Sequence, residues 1–274
     1  MTDIQRIIKY LAIAFAVVLV VSIVSGILGA IGLLGGVTAW LNDRDEKGTV
    51  DAVDMFYGPF SDEITGLDME IAAAHIRILP GREFRVETDN PYITVKESDG
   101  RLILREKSHV GSLESSKLIL YIPDGKAFDR ADIEVGAASL YCESLQCGRL
   151  EMSIGAGKGE FGWVSVEDVC EMEVGAGELV IGDGRFDRLD LEVGVGSAVV
   201  TAGYIQTGAL DAGIGSIELT LMQDRTQYTI RCEDGIGNVW VDGRTMSGGQ
   251  EGTGDERLDV SCGIGQVRIN FVTK

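Results

Sequence analysis

Two sets of carboxylates recur along this chain at a spacing that could gather them on one surface. Each set is counted from an anchor, the first small residue of a glycine-rich unit: Ala72, Gly136, Gly155, Gly175, Gly194, Gly213, Gly235 and Gly263. Four places before an anchor stand Asp68, Asp132, Glu151, Glu171, Asp190 and Asp259. Two places before stand Glu70, Glu134, Glu173, Glu192, Asp211 and Glu233. If the units are neighbouring strands, each column stacks at about 4.8 Å. Every like pair then costs about 0.9 kcal/mol in water before screening. Such a face could bind divalent cations or a basic partner. Its plainer role is a charged surface that keeps strands soluble and unpaired.

Other chemistry is harder to build. Gly155-Ala-Gly157-Lys-Gly159 resembles a phosphate loop, but Glu160 stands where a dinucleotide fingerprint needs glycine, and Gly159 follows Lys158 where a P-loop needs Ser or Thr. Gly182-Asp-Gly184 is an isolated fragment of a calcium nonapeptide whose period is about half the one found here. Two histidines, His75 and His109, make no multi-histidine metal site, and His75 has a structural place at a polar corner. Of five cysteines, Cys142, Cys170, Cys232 and Cys262 fall in apolar columns and read as core residues rather than as a disulfide framework. Cys147, read as a loop residue, is the one expected to be reactive. A polysaccharide-cleaving site would need basic groups and aromatics beside the acids. Lys and Arg do not recur in a column beside the acids, and Trp163 and Trp240 are isolated. No catalytic, cofactor or metal-binding residue is assigned, and a non-enzyme is expected.

The elements that would carry the acids follow from the apolar columns. One place before the anchors stand Ile71, Val135, Ile154, Val174, Val193, Ala212 and Cys262; three before stand Met69, Ile133, Met152, Met172, Leu191, Leu210 and Val260. Six after stand Ile78, Cys142, Phe161, Ile181, Val200, Leu219, Val241 and Ile269. This alternation is the strand signal. The anchors from Gly136 to Gly213 lie 19, 20, 19 and 19 residues apart, the mark of laps that cannot bury their apolar faces alone. Leu189, Leu191 and Val193 share a parity that Ala198 and Val200 do not, so the chain must bend at Gly194-Val195-Gly196. Alanine at 72, 74 and 138 in the same places makes small size, not positive φ, the requirement.

The expected architecture is all-β, a single-chain β-solenoid of about 19–20 residues per rung, preceded by one transmembrane helix. Residues 1–9 form a short tail, 10–41 the membrane helix, 42–66 a juxtamembrane linker and 67–274 the solenoid. Tyr10 to Trp40 is a run of 31 uncharged residues, well beyond the roughly 20 that span a bilayer. A cleaved signal peptide is the competing reading, from Val37-Thr38-Ala39, but its apolar region would be about half as long. Arg6 and Lys9 before the run balance Arg44 and Lys47 after it. The acids Asp43, Asp45 and Glu46 tip the body to the extracytoplasmic side. Between Ala72 and Gly136 there is room for about three rungs, with strands at 84–88, 92–97, 101–105 and 117–122 and a turn at Glu97–Gly100. Gly243 to Gly254 reads as a mobile loop. The net charge of −19, of which residues 1–9 carry +1, leaves −20 on the remainder and argues against nucleic acid and anionic lipid surfaces.

LILYIP from Leu118, IEVGAAS from Ile133, EVGAGEL from Glu173, DLEVGVGS from Asp190 and GIGNVWV from Gly235 resemble a bacterial family of unknown function, the "putative adhesins" or β-strand-repeat proteins. The resemblance covers roughly residues 67–274. It implies a membrane-anchored β-solenoid of the cell envelope, acting in binding, adhesion or envelope-stress sensing, and it carries over no catalytic residue. The expected partners are the lipid bilayer through residues 10–41 and an envelope protein or surface ligand. A carbohydrate-active β-helix and a self-assembling scaffold are the alternatives.

Overall fold

Strand follows strand wherever the sequence alternates, and the pairing decides which columns become neighbours. The computed structural model describes residues 55–107, 116–233 and 235–272. They form an all-β structure in which 19 strands belong to one hydrogen-bonded sheet. The expected span, residues 10–41, lies outside the described residues, and among those residues no helix is long and apolar enough to cross a membrane. In the stretch read as linker, β1 (Met55–Tyr57) pairs with a later strand.

The centre is four long strands: β9 (Ser139–Ile154), β10 (Lys158–Val174), β11 (Glu178–Val193) and β12 (Ser197–Ala212). Each runs parallel to the next, one lap apart. Ile154, Val174 and Val193 are direct lateral neighbours, as are Met152, Met172 and Leu191. All six are buried. Successive corners are joined by backbone bonds, Ala176 N–H to Gly155 O at 2.7 Å and Val195 N–H to Gly175 O at 2.8 Å. No corner glycine of this series has positive φ. A Cβ on Gly157 would stand 1.8 Å from Ala138 O, and one on Gly196 would stand 2.0 Å from Gly177 O. Close approach of backbones therefore sets the residue type.

Each lap bends more often than the glycine corners indicate. In β9, Leu140 and Cys142 are buried, Glu143 and Ser144 are both exposed, and burial then resumes at Leu145 and Cys147. A second break at Gly148-Arg149 precedes buried Leu150, Met152 and Ile154. A strand that shows two outward residues in succession has changed parity, so the chain turns three times per lap. This corrects the reading of Cys147 as a reactive loop residue. It is 1 % exposed, and burial pushes its thiol up to about 12. All five cysteines are free and buried.

At the N-terminal end the expectation of three rungs between Ala72 and Gly136 is wrong. β2 (Gly66–Ile71) and β3 (His75–Gly81) lie directly against β8 (Ala127–Val135) and β9, with Ile71 beside Val135. The intervening chain sits on the outer side instead. There β6 (Arg101–Glu106) pairs parallel with β2, and β7 (Lys117–Pro123) with β3. β4 (Arg85–Thr88) and β5 (Ile93–Ser98) add antiparallel to β7 and β6, and β1 to β4. The cause is local: Asp99 and Gly100 have φ of 51° and 70°, a tight turn that folds β6 back on β5. Glu106 closes the first corner, its Oε2 accepting from Ala72 and Ala73 N–H at 2.8 and 3.1 Å.

The C-terminal end also departs from chain order. β13 (Ser216–Leu221) is followed by β14 (Tyr228–Cys232) and β15 (Asn238–Val241). Yet β18 (Glu256–Cys262) lies between β12 and β14, and β19 (Gln266–Phe271) between β13 and β15. The last lap is thus inserted, and the penultimate one is terminal. Gly243–Gly254 is not a mobile loop: β16 (Arg244–Met246) and β17 (Gly249–Glu251) pair antiparallel with β15 and β14 and cover that end. Asp242 and Gly243, at φ 48° and 74°, make the turn.

Candidate functional site

In-register pairing turns the acidic spacing into ladders. Asp68, Asp132, Glu151, Glu171 and Asp190 are consecutive lateral neighbours; Ala209 then separates Asp190 from Asp259. In the second column Glu173, Glu192 and Asp211 are consecutive, with Ser153 before them and Ser261 after. All three are exposed, as the alternation predicts. Both columns open on a groove of about 750 Å³ over strand segments 151–153, 171–173, 190–192 and 209–211.

The arginines correct the sequence reading. Arg130, Arg149, Arg188 and Arg257 all stand six places before an anchor, and Arg130 lies directly beside Arg149. They are a column broken by Val169 and Thr207, and that interruption hid it in the sequence. Arg130 Nε is 2.6 Å from Asp132 Oδ1 and its Nη2 is 2.6 Å from Glu151 Oε2. Arg188 meets Asp190 at 2.9 Å. Hydrogen bonding to Asp132 and to Asp190 raises the two guanidinium pKa values further. At the N-terminal end Arg101 reaches Asp132, and Arg105 reaches Asp68 and Glu70. Neutralisation is therefore graded along the ladder. Glu171, Glu173, Glu192 and Asp211 form no ion pair among the described residues. Asp259, at the far side of the groove, has a buried Oδ1 with no hydrogen-bond partner.

Among the described residues no three His, Cys, Asp or Glu side chains converge as metal ligands. The carboxylates form two columns over successive laps, an extended anionic surface. The groove also lacks aromatic side chains among its described lining, so it offers no sugar-stacking platform.

Three solved bacterial structures share a likeness with the chain. One, described as a putative adhesin from Bacteroides fragilis, is 13 % identical with a TM-score of 0.44 and covers 79 % of this chain and 95 % of its own. A putative cell adhesion protein from Clostridium sporogenes gives 14 %, 0.33, 80 % and 97 % for the same quantities. A putative adhesin from Parabacteroides distasonis gives 13 %, 0.43, 78 % and 96 %. No protein-family model matches the chain, and no curated protein does. These are likenesses, and the functional reading rests on this chain's own residues.

His75 has the structural place expected of it. Its Nδ1 lies 2.6 Å from Ser139 Oγ on the neighbouring lap. Burial, and then the Lys117 charge, hold the imidazole below its ordinary 6.5. The unfolded chain therefore binds a proton first as the pH falls. The stability tied to His75 is complete above about 6.5 and lost below it, toward the lower folded value. His75→Gln is expected to flatten that part of the pH dependence in denaturant melts at pH 8 and 5.5. Equal pH slopes in both proteins would contradict the assignment.

Proposed function

We propose that this chain is a non-catalytic binding protein of the cell envelope: a β-solenoid over residues 67–274, joined by a linker at 42–66 to a single membrane span at 10–41 with a short tail before it, and held outside the cytoplasm. Its acidic groove receives a cationic partner. The observation that carries this reading is the run Glu173, Glu192 and Asp211, carboxylates brought side by side, with Glu171 in the next column, all left without ion pairs among the described residues. Three like charges, Glu173, Glu192 and Asp211, at about 4.8 Å are an electrostatic cost to the free protein, and a cationic ligand relieves it.

The test is titration of the full chain with hexalysine at low salt. Glu173→Gln with Glu192→Gln and Asp211→Asn is expected to weaken binding at least tenfold, since each contact is worth about 1 kcal/mol at 4 Å in water. Affinity should fall as salt is added. The same variant should melt at or above the wild-type temperature, because two repulsive neighbour pairs are gone. Equal hexalysine affinity in the two proteins would overturn the reading.

A further inference from the structure

The middle residue of each glycine corner points to a second half of the same binding surface. Backbone bonds place Ala137, Ala156, Ala176, Val195, Ile214, Ile264 and Ile236 on successive laps in that order, the last by Ile236 N–H to Gly263 O at 3.1 Å. The first three are alanine. The last four are Val or Ile, and they are 39, 36, 58 and 70 % exposed in that order. The corner itself needs no such side chain, because alanine closes the same turn three times. Two places beyond these residues stand Ser197, Ser216, Gln266 and Asn238, whereas Lys158 and Glu178 hold that place on the laps below. A shallow depression of about 440 Å³ runs along this uncharged strip. Three places before the aliphatic residues lie the acids Glu192, Asp211 and Glu233.

We infer that the four aliphatic corners, together with the flanking acids, dock a cationic amphipathic helix of a partner protein. The inference rests on the proposed role of the acidic groove and adds the apolar contact and the partner's shape. Charge selects the occupant. A second copy docked ridge to ridge would bring Glu192, Asp211 and Glu233 against their own kind, and an anionic bilayer would meet the same repulsion. Four partly exposed side chains are also far short of the roughly 800 Å² per partner of a standard interface. Spacing selects the conformation. The aliphatic residues step by about 4.8 Å from lap to lap. One face of a helix presents side chains every 5.4 Å of rise, whereas one face of a strand does so about every 6.8 Å. The helix stays within about 2 Å over three steps and the strand drifts by about 6 Å. Some three turns of helix match the ridge.

The test uses two probes of equal charge on the full chain: an 11-residue peptide with Leu at positions 1, 4, 8 and 11 and Lys elsewhere, and a Ser/Lys peptide in which Ser replaces the four Leu. The Leu/Lys peptide is expected to bind at least tenfold more tightly. Ile214→Ser with Ile236→Ser and Ile264→Ser should remove that difference and leave binding of the Ser/Lys peptide unchanged. The corresponding alanine set, which copies residues 137, 156 and 176, covers the case in which serine disturbs the corners. Equal affinity for the two peptides, unaffected by either set, would overturn the helix inference and leave the acidic groove standing. Binding of neither peptide would remove both. A wild-type dimer in light scattering that the serine set turns into a monomer would assign the ridge to a second copy and overturn the inference.

Discussion

Ending the chain after Gly254 is expected to unfold the last laps together, and not to trim one lap from an end. In a stack built in chain order the final lap has one neighbour, and its loss removes one interface. Here β18 and β19 each have a parallel neighbour on both sides. Without them, β14 and β15 retain only their antiparallel partners β17 and β16. Tyr228, Ile230, Val239 and Val241, now buried, lose the layer that covers them. At about 1.5–3 kcal/mol for each side chain the loss is about 6–12 kcal/mol. That is comparable with the whole stability of an ordinary domain, about 5–15 kcal/mol. Hydrogen exchange should show protection lost across 207–251 and kept across 139–193. Retained protection at 228–241 would count against the inserted lap.

Gly196→Ala is expected to be among the most damaging single substitutions at the corners, although it adds only a methyl. The new Cβ would meet Gly177 O at 2.0 Å and Gly177 N at 2.9 Å, and both are backbone atoms held in the ladder. Neither can rotate away, so two corners must separate and the bond from Ser197 N–H to Gly177 O, now 2.9 Å, must stretch. Overpacking costs about 1–3 kcal/mol where side chains can yield. With backbone on the receiving side the upper end applies, a fall in melting temperature of about 6–12 °C for a domain of this size. Val195→Ala, one residue away and facing solvent, should stay within about 0.5 kcal/mol of wild type. Melting temperatures of the two variants check the pair, and equal shifts would mean that the corner is not crowded.

The residues that announced themselves were those whose period and burial coincide. Ile154, Val174 and Val193 are legible because an apolar residue one place before every glycine corner has to meet its copies. The acids between them are legible as the outward parity of the same strands. The two further bends per lap were hidden, because an outward pair such as Glu143-Ser144 or Gly162-Trp163 has no glycine pattern that repeats on every lap. That gap also explains the misplacement of Cys147. Lap order was the least legible feature, since equivalent columns fit one another in any sequence. One signal did exist. Asp234 takes the place before its corner that Val, Ile, Ala or Cys holds in the other laps from Gly136 onward. A break in the aliphatic column suits the end of a stack better than its middle. The arginine column escaped notice because Val169 and Thr207 interrupt it, and pairing was needed to show Arg130 against Arg149.

Lap order can be read directly by cysteine pairing in the full chain, since the native thiols are buried. Asp211 and Ser261 are register partners on adjacent strands. Glu233 lies one lap beyond Ser261, its N–H bonded to Val260 O at 2.9 Å. Under mild oxidation, Asp211→Cys with Ser261→Cys should form a disulfide, its Cα atoms being about 4.8 Å apart. Asp211→Cys with Glu233→Cys should not, at about 10 Å. A bond in the second pair and none in the first would mean laps stacked in chain order, and both the inserted lap and the aliphatic ridge built on it would fall.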